Sequence, residues 1–187
     1  MAGLRKACAY SKRKARPYTR ISKVRKKSYI KTVPPSQVVK MKMGDLKGYV
    51  KGKYPIELHI ISKEKVQIRD NSIESVRQFL NRFLQIQVGK EHYLEIKIYP
   101  HHILRENKML TGAGADRMQT GMAQSFGKTI GRAALVKANQ LLIIVAVPDK
   151  RREAAARKLI SSVKSRLPCK ISIETIVKKP EEVIKKE

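Results

Sequence analysis

The sequence predicts an α/β fold of the α+β sandwich kind: a mixed sheet with two helices on one face, a basic extended N-terminal arm and a long internal Gly-rich loop. Three observations predict it. A strand-type alternation, a helical apolar stripe and a second strand follow one another twice, over residues 56–99 and 141–177. Two such units sharing one sheet give a layer of strands covered by helices. The first 31 residues carry twelve Lys/Arg and no acid, with no apolar period. Between the two units lies a stretch rich in glycine and cations, with no sustained period and too long for a turn.

A chain of 187 residues corresponds to about one domain and is long enough to bury a core. We divide it into a basic extension (1–36), a single α/β domain (37–177) containing the loop 107–121, and a charged tail (178–187). Forty-two Lys+Arg stand against 15 Asp+Glu, a formal net charge of +27 with a pI near 10.4. Self-repulsion at that charge calls for a polyanionic partner. The excess is uneven, because residues 1–53 hold 17 of the cations and one acid, Asp45.

In the arm, Tyr10, Tyr18 and Tyr29 are spaced among the cations. Such a segment is either a solvated tail or one that orders on nucleic acid, its cations on phosphates and its tyrosines against sugars or bases. The complete lack of acids favours the second, and the lack of an amphipathic face argues against a membrane surface. The residues assigned to RNA here are Arg5, Lys6, Lys12, Arg13, Lys14, Arg16, Tyr18, Arg20, Arg25, Lys26 and Lys27.

Pro34-Pro35 ends the arm, and the alternation over 37–43 predicts a first strand. Gly44, Gly48 and Gly52 mark a basic loop. From Ile56 the chain alternates, with Ile56, Leu58 and Ile60 on one side and Glu57, His59 and Ile61 on the other. His59 has no Cys or acidic partner at metal spacing and belongs to the polar face. Asp70-Asn71 offers a cap, with Glu74 three residues after Asn71 as in a capping box. Ile73, Val76, Leu80 and Phe83 then form a helical stripe, whose opposite face carries Arg77, Gln78 and Arg82 toward solvent or toward RNA. Residues 93–99 alternate again, with Leu94, Ile96 and Ile98 inward, and Pro100 stops them.

The apolar run 141–147 is short enough for a central strand and far short of the roughly 20 residues that span a bilayer. Asp149 caps a second helix whose inner face is Ala156, Leu159, Ile160, Val163 and Leu167. Pro168 ends it, and 169–177 gives one more strand, with Ile171 and Ile173 inward. The N-terminus shows no apolar signal-type segment. The two cysteines, Cys8 and Cys169, fit neither a zinc ligand spacing nor a disulfide framework. A reducing, cytoplasmic location is therefore expected, with no metal and no cofactor.

The central stretch, 99–132, is the most specific part of the chain. Tyr-Pro-His-His-Ile-Leu-Arg-Glu-Asn-Lys (99–108), Gly-Ala-Gly-Ala-Asp-Arg-Met-Gln-Thr-Gly-Met (112–122) and Phe-Gly-Lys-Thr-Ile-Gly-Arg-Ala-Ala (126–134) closely resemble the archaeal and eukaryotic branch of the universal large-subunit ribosomal protein sixteen family. Arg-Pro-Tyr-Thr-Arg (16–20) and Val-Gln-Ile-Arg-Asp-Asn-Ser-Ile-Glu (66–74) resemble it as well. The resemblance implies a non-enzymatic, cytoplasmic component of the large ribosomal subunit, seated in large-subunit rRNA beneath the central protuberance and near 5S rRNA. Its partners would be those RNAs, tRNA and neighbouring large-subunit proteins, with no homo-oligomer. The long loop would point toward the peptidyl transferase centre and the acceptor ends of tRNA. On that carry-over Arg105, Lys108, Gly112, Gly114, Arg117 and Gln119 belong to the tRNA-proximal loop and its stems. Lys128, Gly131 and Arg132 belong to its returning arm.

Residue chemistry agrees. Glycines let backbone approach RNA closely, and guanidinium forks suit phosphate and guanine. His101 and His102 either stack on or hydrogen-bond to RNA, or merely end the strand at an edge. As an enzyme the chain would use Asp116 or Glu106 as base and His101 or His102 as acid. It lacks a P-loop, a nucleophile elbow and a paired-carboxylate constellation. The dinucleotide fingerprint fails because Arg117 occupies the third glycine's place.

Overall fold

The computed structural model describes residues 32–106, 112–114 and 127–178. The described residues hold eight strands: β1 (Lys42–Gly44), β2 (Ile56–Ser62), β3 (Val66–Arg69), β4 (Tyr93–Ile96), β5 (His102–Glu106), β6 (Lys128–Val136), β7 (Gln140–Val147) and β8 (Ile171–Val177). The helices among the described residues are a short α1 (Leu46–Val50), then α2 (Asp70–Gln87) and α3 (Lys150–Ser162), the last prolonged by a 3₁₀ turn (Val163–Arg166). The α+β class holds. The single mixed sheet does not: the strands form a five-stranded sheet, β1-β4-β7-β2-β8, and a three-stranded one, β3-β6-β5, and each pairing is antiparallel.

The large sheet follows the predicted alternation. Leu58 and Ile60 of β2 face Val145 and Ile143 of β7, which in turn face Leu94 and Ile96 of β4. This inner surface meets α2 through Ile73, Val76, Leu80 and Leu84, and α3 through Ala156, Leu159 and Ile160. Leu84 takes the deep position predicted for Phe83. Phe83 is half-buried, with its ring 4.5 Å from that of Phe79. Each fully buried apolar side chain contributes about 1.5–3 kcal/mol, so this layer supplies most of the driving force for folding. The small sheet adds Val66, Ile68, Ala134 and Val136 to the same core.

Three local expectations are corrected. The strand predicted over 37–43 is reduced to Lys42–Gly44, because the preceding backbone is drawn to α2 instead. The Gln37 N–H donates to Asp70 Oδ2 (3.1 Å) and the Val39 N–H to Glu74 Oε2 (3.4 Å), leaving Val39 exposed. Glu74 therefore closes no capping box. Its carboxylate is also committed to Arg77 (2.5 Å) and Gln78 (3.0 Å), and the N-cap position falls at Arg69. Residues 46–50, expected in a loop, form α1, started by Asp45 accepting the Gly48 N–H at 2.9 Å. Gly44 sits at φ +87°, with the backbone of His92 so close that a Cβ would collide with the carbonyl oxygen.

The outer face of the large sheet is polar and partly roofed by α1. Tyr49 stacks on Tyr93, with ring centroids 3.9 Å apart, and donates its hydroxyl to the buried Glu57 (2.7 Å). Lys178 (2.6 Å) and His59 (3.0 Å) also contact that carboxylate. Burial alone would raise the Glu57 pKa, but these three partners overcome it and hold the group below its ordinary value. His59 is thus a polar-face residue, as its neighbours in sequence predict.

Candidate nucleic-acid interface

The loop predicted from glycine and charge is carried on a β-hairpin. Residues 102–106 pair with 128–133, from His102 opposite Ala133 to Glu106 opposite Lys128, with one register shift at Leu104/Arg105. The stems therefore belong to the small sheet, and the excursion opens immediately beyond the Glu106–Lys128 pair. Within it, residues 112–114 form an exposed turn with Gly112 at φ +137° and Gly114 at +81°, backbone that only glycine adopts without strain. Lys108, Arg117 and Gln119 lie outside the described residues.

The arm meets the body on this same sheet. Arg132, on β6, donates from Nε to the Pro34 carbonyl oxygen (2.6 Å) and from Nη1 to the Tyr99 hydroxyl (3.3 Å). Together with the Gln37 and Val39 bonds to α2, this fixes residues 34–39 against the body and sets where the basic extension departs. A planar fork with several donors suits such a double attachment better than an ammonium would. Arg5, Lys6, Lys12, Arg13, Lys14, Arg16, Tyr18, Arg20, Arg25, Lys26 and Lys27 all lie outside the described residues.

The histidine pair is divided. His101 is exposed just before β5, its Nδ1 3.1 Å from the Tyr99 carbonyl oxygen. His102, the first residue of β5, is 2% exposed and has no hydrogen-bond partner on either ring nitrogen. Burial pushes its pKa below the ordinary histidine value, and the nearby charges of His101 and Arg105 act in the same direction. Of the two residues assigned to RNA, His101 is exposed, whereas His102 is buried in β5 and does not reach the surface. Arg105 and Lys128 are both exposed on the stems, and Arg132 is half-buried in its clamp.

Many carboxylates of the body are already engaged. Glu74 pairs with Arg77, Glu95 with Lys97 (2.7 Å), and Glu91 with both Lys53 and Arg152 (2.7 Å each). Those two cations hold the Glu91 carboxyl at a pKa of about 2. The acids thus serve the fold, while the basic surplus faces outward. Among the described residues no group of His, Cys, Asp and Glu is placed to hold a metal ion. Their helices include none long and apolar enough to cross a membrane.

Fold and charge together define a basic α+β body whose small sheet holds both the contact to Pro34 and the stems that flank residues 107–127, the build of a protein that packs against a polyanion. Residues 14–174 match the family model described as ribosomal protein L16p/L10e. The chain is 40% identical over 185 residues to the large ribosomal subunit protein uL16 of Methanococcus maripaludis, covering 97% of this chain and 98% of that one. It is 40% identical over 166 residues to the protein of that name from Staphylothermus marinus (88% and 89% covered), and 38% over 172 residues to that of Archaeoglobus fulgidus (91% and 93%). The chain belongs to the ribosomal protein L16p/L10e family, on the archaeal and eukaryotic side that the central motifs resemble. It is a ribosomal protein and not an enzyme.

Proposed function

We propose that the chain is a structural constituent of the large ribosomal subunit that seats its body on large-subunit rRNA beneath the central protuberance, near 5S rRNA. The extension 1–36 acts as an RNA-bound arm, 37–177 as the docking body and 178–187 as a charged tail. Residues 107–121 project toward the peptidyl transferase centre and the acceptor ends of tRNA. The observation that carries this reading is the common origin of arm and loop: the arm is clamped to β6 by Arg132, and β6 is also the returning stem of the loop. Attachment points held on one sheet suit a protein that inserts two basic segments into folded RNA read by shape.

In this assignment the arm cations and Tyr18 contact phosphates and sugars, with His101, Lys128 and Arg132 beside them. Arg105, Lys108, Gly112, Gly114, Arg117 and Gln119 form the tRNA-proximal part. His102 supports the strand from beneath rather than touching RNA.

The test is sedimentation of native lysate on a sucrose gradient after a high-salt wash, with the protein followed by mass spectrometry. Near-stoichiometric recovery with large-subunit proteins is expected, because shape-specific packing keeps a salt-resistant component whereas binding through charge alone does not. Recovery mainly in the light fractions would overturn the assignment. Shortening 111–120 is expected to leave subunit association intact and impair translation. Loss of both together would make the loop an assembly anchor.

A further inference from the structure

The large sheet ends differently on its two sides. Its β1 edge is three residues long and carries Lys42, the kind of short, charged edge that refuses a further strand. β8, at the other edge, is seven residues of Ile-Ser-Ile-Glu-Thr-Ile-Val, with no proline and a single charge. Its ladder to β2 is unbroken, from Ile171 opposite Ser62 to Val177 opposite Ile56. The Lys63 N–H donates to the Lys170 carbonyl oxygen (2.9 Å) and the Lys178 N–H to that of Pro55 (2.8 Å), so the even-numbered residues bond to β2. Hydrogen-bonded and non-hydrogen-bonded pairs alternate in an antiparallel ladder. Ile171, Ile173, Thr175 and Val177 therefore direct N–H and C=O groups away from the sheet, and among the described residues nothing pairs with them.

Charge lies along the same edge. Arg157 of α3 reaches across to β8, donating to Thr175 Oγ1 at 2.6 Å. Lys150 and Lys164 stand seven residues to either side of it, close to two helical turns, so the three cations lie near one flank, and all are exposed. They span about 21 Å at 1.5 Å per residue, close to the roughly 20 Å length of β8. Arg157 pairs with Glu153 (3.5 Å), whereas among the described residues Lys150 and Lys164 have no ion-pair partner. On the other face of the strand Ile176 is 42% exposed. A strand laid against β8 thus meets cations on one face and an apolar side chain on the other. A second copy is a poor occupant, because two chains of net charge +27 repel. Nucleic acid has no alternating peptide N–H and C=O groups with which to continue the ladder.

We propose that β8 accepts an added strand from a partner protein, an extended acidic segment whose alternate carboxylates face Lys150, Arg157 and Lys164 and whose intervening apolar side chains lie beside Ile176. Main-chain bonds give such an addition its affinity, and the alternate side chains give it specificity. The edge shares no residue with the arm clamp or the hairpin stems, so protein and RNA can be held at once, and loss of one leaves the other.

The test is amide hydrogen exchange, read by two-dimensional NMR of the full chain, with a blocked peptide of alternating glutamate and valine as the probe. The free chain should exchange the amides of Ile171, Ile173, Thr175 and Val177 faster than those of Ser172, Glu174 and Ile176. Saturating peptide should slow the first set about tenfold and leave the second nearly unchanged, an alternation that attraction by charge alone does not produce. The lysine–valine counterpart should bind about tenfold more weakly at about 0.1 M salt, and the acidic peptide N-methylated throughout should not bind. Lys150→Glu combined with Lys164→Glu, both at exposed positions, should reverse the preference between the two peptides. Val177→Pro, which removes one outward N–H and spares the bonds to β2, should weaken binding severalfold. Equal slowing of both sets, equal binding of the two peptides, or no saturable change would overturn the proposal. So would outward amides already slow in the free chain, whether deletion of 179–187 frees them, which assigns the edge to the chain's own tail, or dilution does, which assigns it to a second copy.

Discussion

His102 and Glu91 show how differently two titratable residues can serve one fold. His102 is buried neutral, with its folded-state pKa below the ordinary value of 6.5. Its contribution to stability is therefore complete above about pH 6.5 and is lost as the pH falls from there through the folded value. Replacing it with Leu removes two buried polar atoms without stranding a partner. His102→Leu should equal the parent or exceed it by about 1 kcal/mol at pH 7. Thermal melts should also show a flatter dependence between about pH 7 and 5. Glu91 has its folded pKa lowered from 4.5 to about 2 by Lys53 and Arg152. Its stabilising effect is present above about pH 4.5 and disappears as the pH falls through 2. Glu91→Gln should remove that part of the acid-induced decline, seen as a shallower Tm slope between about pH 4.5 and 2.

At the scale of elements, the arm clamp makes the clearest prediction. Arg132→Ala removes the donors to Pro34 and Tyr99 but touches neither Asp70 nor Glu74. Hydrogen exchange at Gln37 and Val39 should accelerate about tenfold while the α2 amides keep their protection. Equal acceleration throughout α2 would mean that Arg132 stabilises the body as a whole. β2, β7, α2 and α3 were legible in the sequence because each buries one continuous face, giving periods of 2 or 3.6. β3 was not, since Val66–Arg69 is four residues long and Gln67 is buried alongside its apolar neighbours. β5 and β6 were hidden for another reason. Gly131, Ala133 and Ala134 are small enough to pack closely and carry little apolar signal, so the stems looked like loop. The acids that bind residues 37 and 39 act across more than 30 positions of sequence, beyond any local pattern.

For the whole molecule, charge was the most legible property and pairing the least. A net charge of +27 names a polyanionic partner from composition alone. That the carboxylates Glu57, Glu74, Glu91 and Glu95 are already spent on internal pairs emerges only from the fold. Salt should therefore act on the two functions in opposite proportion. The body's pairs are short and several are shielded, whereas the outward cations are open to screening. Raising salt from about 0.1 to 1 M should weaken non-specific RNA binding steeply while shifting Tm little, which parallel filter-binding and melting series would show.

The Glu106–Lys128 pair at the mouth of the hairpin has one more consequence. A neck closed by its own ladder makes the body indifferent to how much chain lies beyond it. Doubling the length of such an insertion adds only about 0.6 kcal/mol of closure entropy. Residues 107–127 are thus a graft point: a foreign peptide, a fluorophore-bearing segment or a shortened bridge can be spliced there while the scaffold folds as before. Selection on what the tip touches can then proceed without negotiation with the core.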